Sequence, residues 1–273
     1  MSQTDLKPRL DLARAIAVAA GEVTLKYFRA TDLEVMHKQD GSPLTIADQE
    51  AEQLLRVRIA EKFPDDAIVG EEFGERSGTS GYRWVLDPID GTKSFICGVP
   101  LYGTMVGVQQ GDQAVVGAIY FPPLQEGMFA AKGHGSWYFF GDGEPVRARV
   151  SKKSNLSKST VLTTCEQTLA KRIGCERWQT LGSSFAISRT WGDVYGYMLV
   201  ATGRAEAMID PVMNVWDAAA VQPIIVEAGG TFSDWQGRPR IDSGDSVASN
   251  GILHSTVLTV LNTANDENES DLP

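Results

Sequence analysis

The segment WVLDPIDGTKSF (residues 84–95) carries two carboxylates, Asp87 and Asp90, three positions apart after an apolar run. Pro88 fixes φ and predicts a sharp turn that closes the strand at Asp87 and re-aims Asp90, so that both acids can converge on one point. Hard divalent cations take such oxygen ligands. The amides of Gly91 and Thr92 then open a short helix, where free N–H groups and the helix dipole favour a phosphate. The chemistry implied is cation-assisted work on a phosphate. Read alone, the same residues also fit an ordinary Asp-Gly turn. The aspartyl-phosphate pattern, with one residue between its two acids, does not fit, because Pro88 and Ile89 both intervene.

Three further blocks hold acids at comparable places. VGEEF (69–73) ends a strand with Glu71 and Glu72, which alternate in direction, so that one of them points inward. NVWDAAA (214–220) opens a helix at Asp217, and KQDGSPLTIAD (38–48) is a turn followed by Thr45 and Asp48. Each has a plain structural reading as strand-end acids, a helix N-cap or a first-turn acid favoured by the macrodipole. Together they place every acid at the end of a strand or the start of a helix, where a rigid scaffold positions reactive groups. A carboxylate set without His or Cys describes a magnesium site rather than a zinc site. His37, His134 and His254 lie outside these blocks, so no histidine base is indicated, and no GxxxxGK[ST] loop occurs.

The elements that must hold these acids form a mixed α/β chain in two halves. A helix over about 10–28, interrupted near Gly21, and a second over 47–63 precede the strands AIVGE (67–71) and RWVLD (83–87). TMVGV, AVVGAIY and GMFAA follow as an antiparallel meander, which SWYFF and VRARVS extend. The polar stretch 152–158 divides the chain into 1–151, with most candidate ligands, and 152–273, with Asp217 and a substrate pocket. In the second half we expect strands at 159–164, at RWQTL (177–181) and at 206–210, then TFSDW. Helices are expected at 166–173, 184–190, 195–201, 215–228 and 251–263, and a disordered acidic tail at 262–273. The net charge of −10 disfavours nucleic acid and anionic membranes as partners. Three scattered cysteines (97, 165 and 175) suggest a reducing, cytoplasmic setting, and no run is long enough to span a membrane.

The ordered blocks GEE (70–72), DPIDGT (87–92), WDAAA (216–220) and EAGG (227–230), with KQDGSPLTIAD before them, resemble the inositol monophosphatase superfamily over nearly the whole chain. That resemblance implies an αβαβα sandwich of the inositol monophosphatase/fructose-1,6-bisphosphatase type, a homodimer, and two or three Mg2+ ions acting on a small phosphorylated metabolite. By position, Glu71, Asp87 and the Ile89 carbonyl would hold one ion. Asp87, Asp90 and Asp217 would hold a second, and a third would sit against Glu71. Asp48 and Thr92 would orient and deprotonate the attacking water. The segments TKSFICGVPLYGT (92–104) and LGSSFAISRTWGDVYGYMLVATGRAEAMIDP (181–211) look closest to the histidinol-phosphate phosphatase branch, which acts in histidine biosynthesis. They place Asp193 and Asp210 beside the alcohol portion of the substrate, where carboxylates suit a cation better than a neutral polyol. Gly182 and Ser184 are expected to line the same pocket, with Asp90, Gly91, Thr92 and Asp217, although their small size also suits plain helix packing. As structural alternatives, Asp193 would cap a helix and Asp210 a turn. The branch pattern is departed from at Cys97, where a basic residue is expected, and at Val194, where Cys is expected. Lys93 would compensate for the missing base. The competing readings are an inositol-1-phosphate, sugar-phosphate or nucleotide phosphatase, and a catalytically idle metal-binding relative.

Overall fold

The computed structural model describes residues 6–262, so the acidic tail from residue 263 lies outside the described residues. Two helices, α1 (Lys7–Leu25) and α2 (Ile46–Lys62), flank a small hairpin of β1 (Val35–His37) and β2 (Pro43–Thr45). They cover one face of an eight-stranded sheet built from β3 (Ala67–Gly70), β4 (Gly74–Arg76), β5 (Tyr82–Asp90), β6 (Gly103–Gln110), β7 (Gln113–Phe121), β8 (Glu126–Ala131), β9 (Gly135–Phe140) and β10 (Val146–Arg147). Its order is β10-β9-β8-β7-β6-β5-β3-β4, antiparallel except where β3 runs parallel to β5. The short α3 (Thr92–Ile96) follows β5 directly.

The second half supplies β11 (Thr160–Leu162), α4 (Glu166–Ile173), α5 (Cys175–Ser184), β12 (Ile187–Arg189), α6 (Asp193–Ala201), β13 (Ala207–Asp210), α7 (Val215–Ala219), α8 (Val221–Glu227), β14 (Thr231–Ser233), β15 (Ser246–Ser249) and α9 (His254–Asn262). Its five strands order as β12-β11-β13-β15-β14. Three apolar clusters define the layers. Leu10, Ile16, Leu55 and Ile59 join α1 and α2 to Trp84, Val106 and Val116 of the large sheet. Met105, Ile119 and Met128 on the other face of that sheet meet Met198, Ala219 and Ile224 of α6–α8 and Met208 and Ala248 of the small sheet. The far side of the small sheet packs on Leu169, Trp178, Leu181 and Val257. The result is the αβαβα sandwich expected from the resemblance, with one helical layer shared between the two sheets.

Several local expectations are corrected. α1 runs unbroken through Gly21, which is buried within it. β5 does not end at Asp87: it continues through Pro88 to Asp90, with a register irregularity between Asp87↔Met105 and Asp90↔Gly103. A bulge, rather than a strand-ending turn, therefore re-aims the two acids. RWQTL belongs to helix α5, because Trp178 and Leu181 recur at helical spacing and enter the core. Residues 187–189, expected to be helical, form the edge strand β12, parallel to β11. The 215–228 helix divides into α7 and α8 at Ala220. Its seat on the sheet is tight: a Cβ on Gly117 would lie 2.0 Å from the Ala220 carbonyl oxygen. Glycine at 117 lets the junction of α7 and α8 approach β7 of the sheet that carries Asp87.

Candidate active site

Asp87, Asp90 and Asp217 converge from β5 and α7, each offering a carboxylate oxygen within 4.8 Å of the others. Asp87 is buried at 1% exposure, and its Oδ1 has no hydrogen-bond partner. Asp90 Oδ2 accepts the Val194 amide from the start of α6. Asp217 Oδ2 accepts the Asn214 amide at 2.7 Å and the Asn214 Nδ2 at 3.3 Å, closing a capping box at the start of α7. The acid thus fills its capping role and still faces the cluster. Burial, then the charges of Glu71, Asp90, Asp217 and Asp48, holds the Asp87 carboxyl well above its ordinary range. Asp90 is raised by burial and by Asp193 and Asp217, against the pull of the Val194 N–H. Burial and Glu71 push Asp217 up to about 7 despite its two bonds from Asn214.

Asp48 occupies the N3 position of α2, where its Oδ2 accepts Thr45 N at 2.8 Å and Thr45 Oγ1 at 2.6 Å. Burial raises it to about 6, with the Thr45 bonds opposing and Glu71 adding to the rise. Thr92 stands at the start of α3, and its Oγ1 donates to the Ile89 carbonyl at 3.0 Å. Among the described residues no hydrogen bond joins Asp48 to Thr92. Glu71 and Glu72 lie in the turn after β3, and both reach Lys38 Nζ, at 2.7 and 2.8 Å. The strand alternation expected for this pair is therefore absent, because the strand has already ended at Gly70.

Sequence reasoning missed the group that fixes this turn. Glu52, fully buried on α2 one turn beyond Asp48, accepts the Glu72 amide at 2.8 Å and the Phe73 amide at 3.2 Å. Arg56 Nε completes the arrangement at 2.7 Å. Gly70 makes room for it, since a Cβ there would come within 2.2 Å of Glu52 Oε1. One helix thereby carries Asp48 and anchors the Glu71 turn. No local motif marks Glu52; its partners lie some twenty positions away.

Next to the acids are two cavities of about 310 and 420 Å³ that share Lys93, Thr164, Cys165 and Asp193. Among the described residues, Lys93 is the one cationic side chain lining either, against Asp90, Asp193, Asp210, Asp217 and Glu71. Asp193 begins α6 with φ 51, a left-handed conformation that a non-glycine residue holds at a cost of about 1 kcal/mol or more. Its amide donates to Thr164 Oγ1 at 2.9 Å, and Ser94 Oγ approaches its Oδ2 at 3.4 Å. Burial and the Asp210 charge raise it to about 6. Asp210 is more enclosed: its Oδ1 accepts the Thr164 amide at 2.9 Å and its Oδ2 the Tyr197 hydroxyl at 2.7 Å. Burial raises the Asp210 carboxyl, with both donors opposing.

Gly91 and Thr92 line the larger cavity, as expected. Gly182 and Ser184 line neither. They belong to α5, on the far side of the small sheet, where Ser184 Oγ bonds the Leu181 carbonyl at 2.6 Å and Gly182 abuts Trp178 and Ser188. Their small size serves packing there. Of the two departures from the branch pattern, Cys97 lines neither cavity. Val194 contributes a buried side chain and, through its amide, the bond to Asp90.

An all-oxygen donor set with an orphaned, fully buried Asp87 Oδ1 fits a hard divalent cation. The model of the inositol monophosphatase family matches residues 5–266. The chain belongs to that family. Within the family it is 44% identical to the histidinol-phosphatase of Chlorobaculum parvum, over 89% of this chain and 92% of the relative. It is 37% identical to the histidinol-phosphatase of Streptomyces coelicolor, over 93% of this chain and 96% of the relative. The fold matches an inositol monophosphatase from Zymomonas mobilis with a TM-score of 0.81 and 28% identity, covering 96% and 99% of the two chains.

Proposed function

We propose that this inositol monophosphatase family member is a magnesium-dependent phosphomonoesterase that hydrolyses L-histidinol phosphate to L-histidinol and phosphate. The observation that carries the substrate assignment is Asp193, a partly open carboxylate beside the acid cluster and backed by Asp210. A cationic alcohol portion would neutralise it; a polyol would leave it charged and desolvated. The kinship with histidinol-phosphatases supports the same choice. Inositol 1-phosphate and other sugar or nucleotide phosphates are the runners-up, and the intact acid set argues against a catalytically idle relative.

Glu71, Asp87 and the Ile89 carbonyl would hold one Mg2+, Asp87, Asp90 and Asp217 would hold a second, and Glu71 would also serve a third. When bound, such ions neutralise the phosphate dianion and acidify a water molecule. Asp48, held by Thr45, accepts the proton of the attacking water, and the Thr92 hydroxyl orients it. The Gly91 and Thr92 amides and Lys93 receive phosphate oxygens, and Asp193 the substrate's ammonium or imidazolium. Glu71, paired with Lys38 at 2.7 Å, would exchange that partner for a cation. We assign the protein to the cytoplasm and to histidine biosynthesis, as a homodimer whose halves 1–151 and 152–273 meet at this site. Phosphate release from L-histidinol phosphate, with magnesium and then with excess EDTA, tests the proposal. Magnesium-dependent turnover is expected; turnover that survives chelation, or none in either case, rejects it.

A further inference from the structure

Asp193 opens α6 directly after Gly192, which has no side chain to cap the helix. The first two amides of α6 are taken up by residues of the site instead. Asp193 N donates to Thr164 Oγ1 at 2.9 Å, and Val194 N donates to Asp90 Oδ2. Thr164 stands in the bend between β11 and α4, 29 positions earlier in the chain, and lines both catalytic cavities. A helix start left with unpaired amides by its own sequence is thus capped from another element.

Thr164 also reaches the second acid of the pocket. Its amide donates to Asp210 Oδ1 at 2.9 Å. Burial raises Asp210, and the Thr164 amide, the Tyr197 hydroxyl and the Thr164 hydroxyl all oppose that rise. One residue therefore bridges Asp193 and Asp210. The bridge is short because the two chain segments touch: a Cβ on Gly192 would lie 2.2 Å from Thr164 Cα and 2.8 Å from its Oγ1.

The bond to Asp193 matters because of the conformation it maintains. Asp193 has φ 51, and a non-glycine residue stays in the left-handed region only where its surroundings over-determine it. In that conformation its Oδ2 stands over Gly91, where a Cβ would be 3.0 Å away, and lies 3.4 Å from Ser94 Oγ. Rotation to an ordinary helical φ would carry the carboxylate off this position. Thr164 is itself exposed at the cavities, so its side chain fills no core.

We propose that Thr164 is a positioning residue for substrate choice, its hydroxyl fixing Asp193 in the left-handed conformation that aims the carboxylate at the substrate, on the reading that Asp193 selects a cation. Thr164→Val keeps the shape of the side chain and the amide bond to Asp210 but removes the acceptor of the Asp193 amide.

The test is kcat/KM with magnesium for L-histidinol phosphate and inositol 1-phosphate in wild type, Thr164→Val, Thr164→Ser, Asp193→Asn and the double variant of Thr164→Val with Asp193→Asn. Thr164→Val is expected to lower the histidinol phosphate value about tenfold, through KM more than kcat, the order of one lost hydrogen bond, and to leave the inositol 1-phosphate value within about twofold. Thr164→Ser, which keeps the hydroxyl, should restore the wild-type value. The double variant should lose no more than Asp193→Asn alone, since Thr164 acts through Asp193. Equal losses on both substrates, a serine variant as weak as the valine one, or additive losses in the double variant overturn the proposal while the wild-type preference stands. A wild type without preference rejects the reading of Asp193 itself, and the proposal with it.

Discussion

In the metal-free protein, Asp217→Asn should stabilise the fold at pH 8 and leave it nearly unchanged at pH 4. Asparagine keeps an oxygen to accept the Asn214 amide, so the capping bond at the start of α7 survives. What is removed is a charge that burial and Glu71 oppose, as its rise from 3.8 to about 7 records. A carboxylate whose folded value lies above its unfolded one stabilises the protein fully below the unfolded value and loses that contribution as pH climbs through the folded one. At about 1.36 kcal/mol per pH unit, the gap between 3.8 and about 7 sets a ceiling of about 4 kcal/mol. Asp217 keeps partial contact with water and its neighbours share protons, so about 2 kcal/mol is the expected gain at pH 8. Urea unfolding in EDTA at the two pH values measures it. A variant no more stable than wild type at pH 8, or equally stabilised at pH 4, would refute the electrostatic reasoning.

Glu52→Gln should weaken Mn2+ binding by about tenfold in calorimetry, the size of one lost bond to a charged acceptor, since an amide group would face the donors that hold the Glu71 turn. A drop in thermal stability with unchanged Mn2+ affinity would make Glu52 a structural residue only. Magnesium should raise Tm more at pH 8 than at pH 5. Asp217, near 7, retains a proton at pH 5 that an ion must displace. An equal or larger gain at pH 5 would contradict that order.

The acids were legible because their signals are local. Asp87 and Asp90 sit in one rigid segment, and Asp48, Glu71 and Asp217 lie at strand ends or helix starts that periodicity marks. The layered fold followed from the resemblance of those blocks, and the meander β6–β8 from alternation and turn residues. What stayed hidden depends on distant partners. Glu52 grips a turn twenty positions on, Lys38 spans 33 positions to Glu71, and the Val194 amide reaches Asp90 across 104. Short segments failed for the same reason. Residues 177–181 read as a strand until Trp178 and Leu181 are seen in the outer core, and 187–189 extend only because β11 pairs with them. Pro88 does not end the strand, since a bulge accommodates it within β5.

The central claim is that Asp193 selects a cationic substrate, and it is tested most directly by kcat/KM for L-histidinol phosphate and inositol 1-phosphate in wild type and Asp193→Asn. The account predicts a strong wild-type preference for histidinol phosphate, reduced at least tenfold in the variant, the equivalent of about 1.4 kcal/mol of charge-assisted contact, with the inositol 1-phosphate value little changed. Equal losses on both substrates, or no wild-type preference, would contradict it.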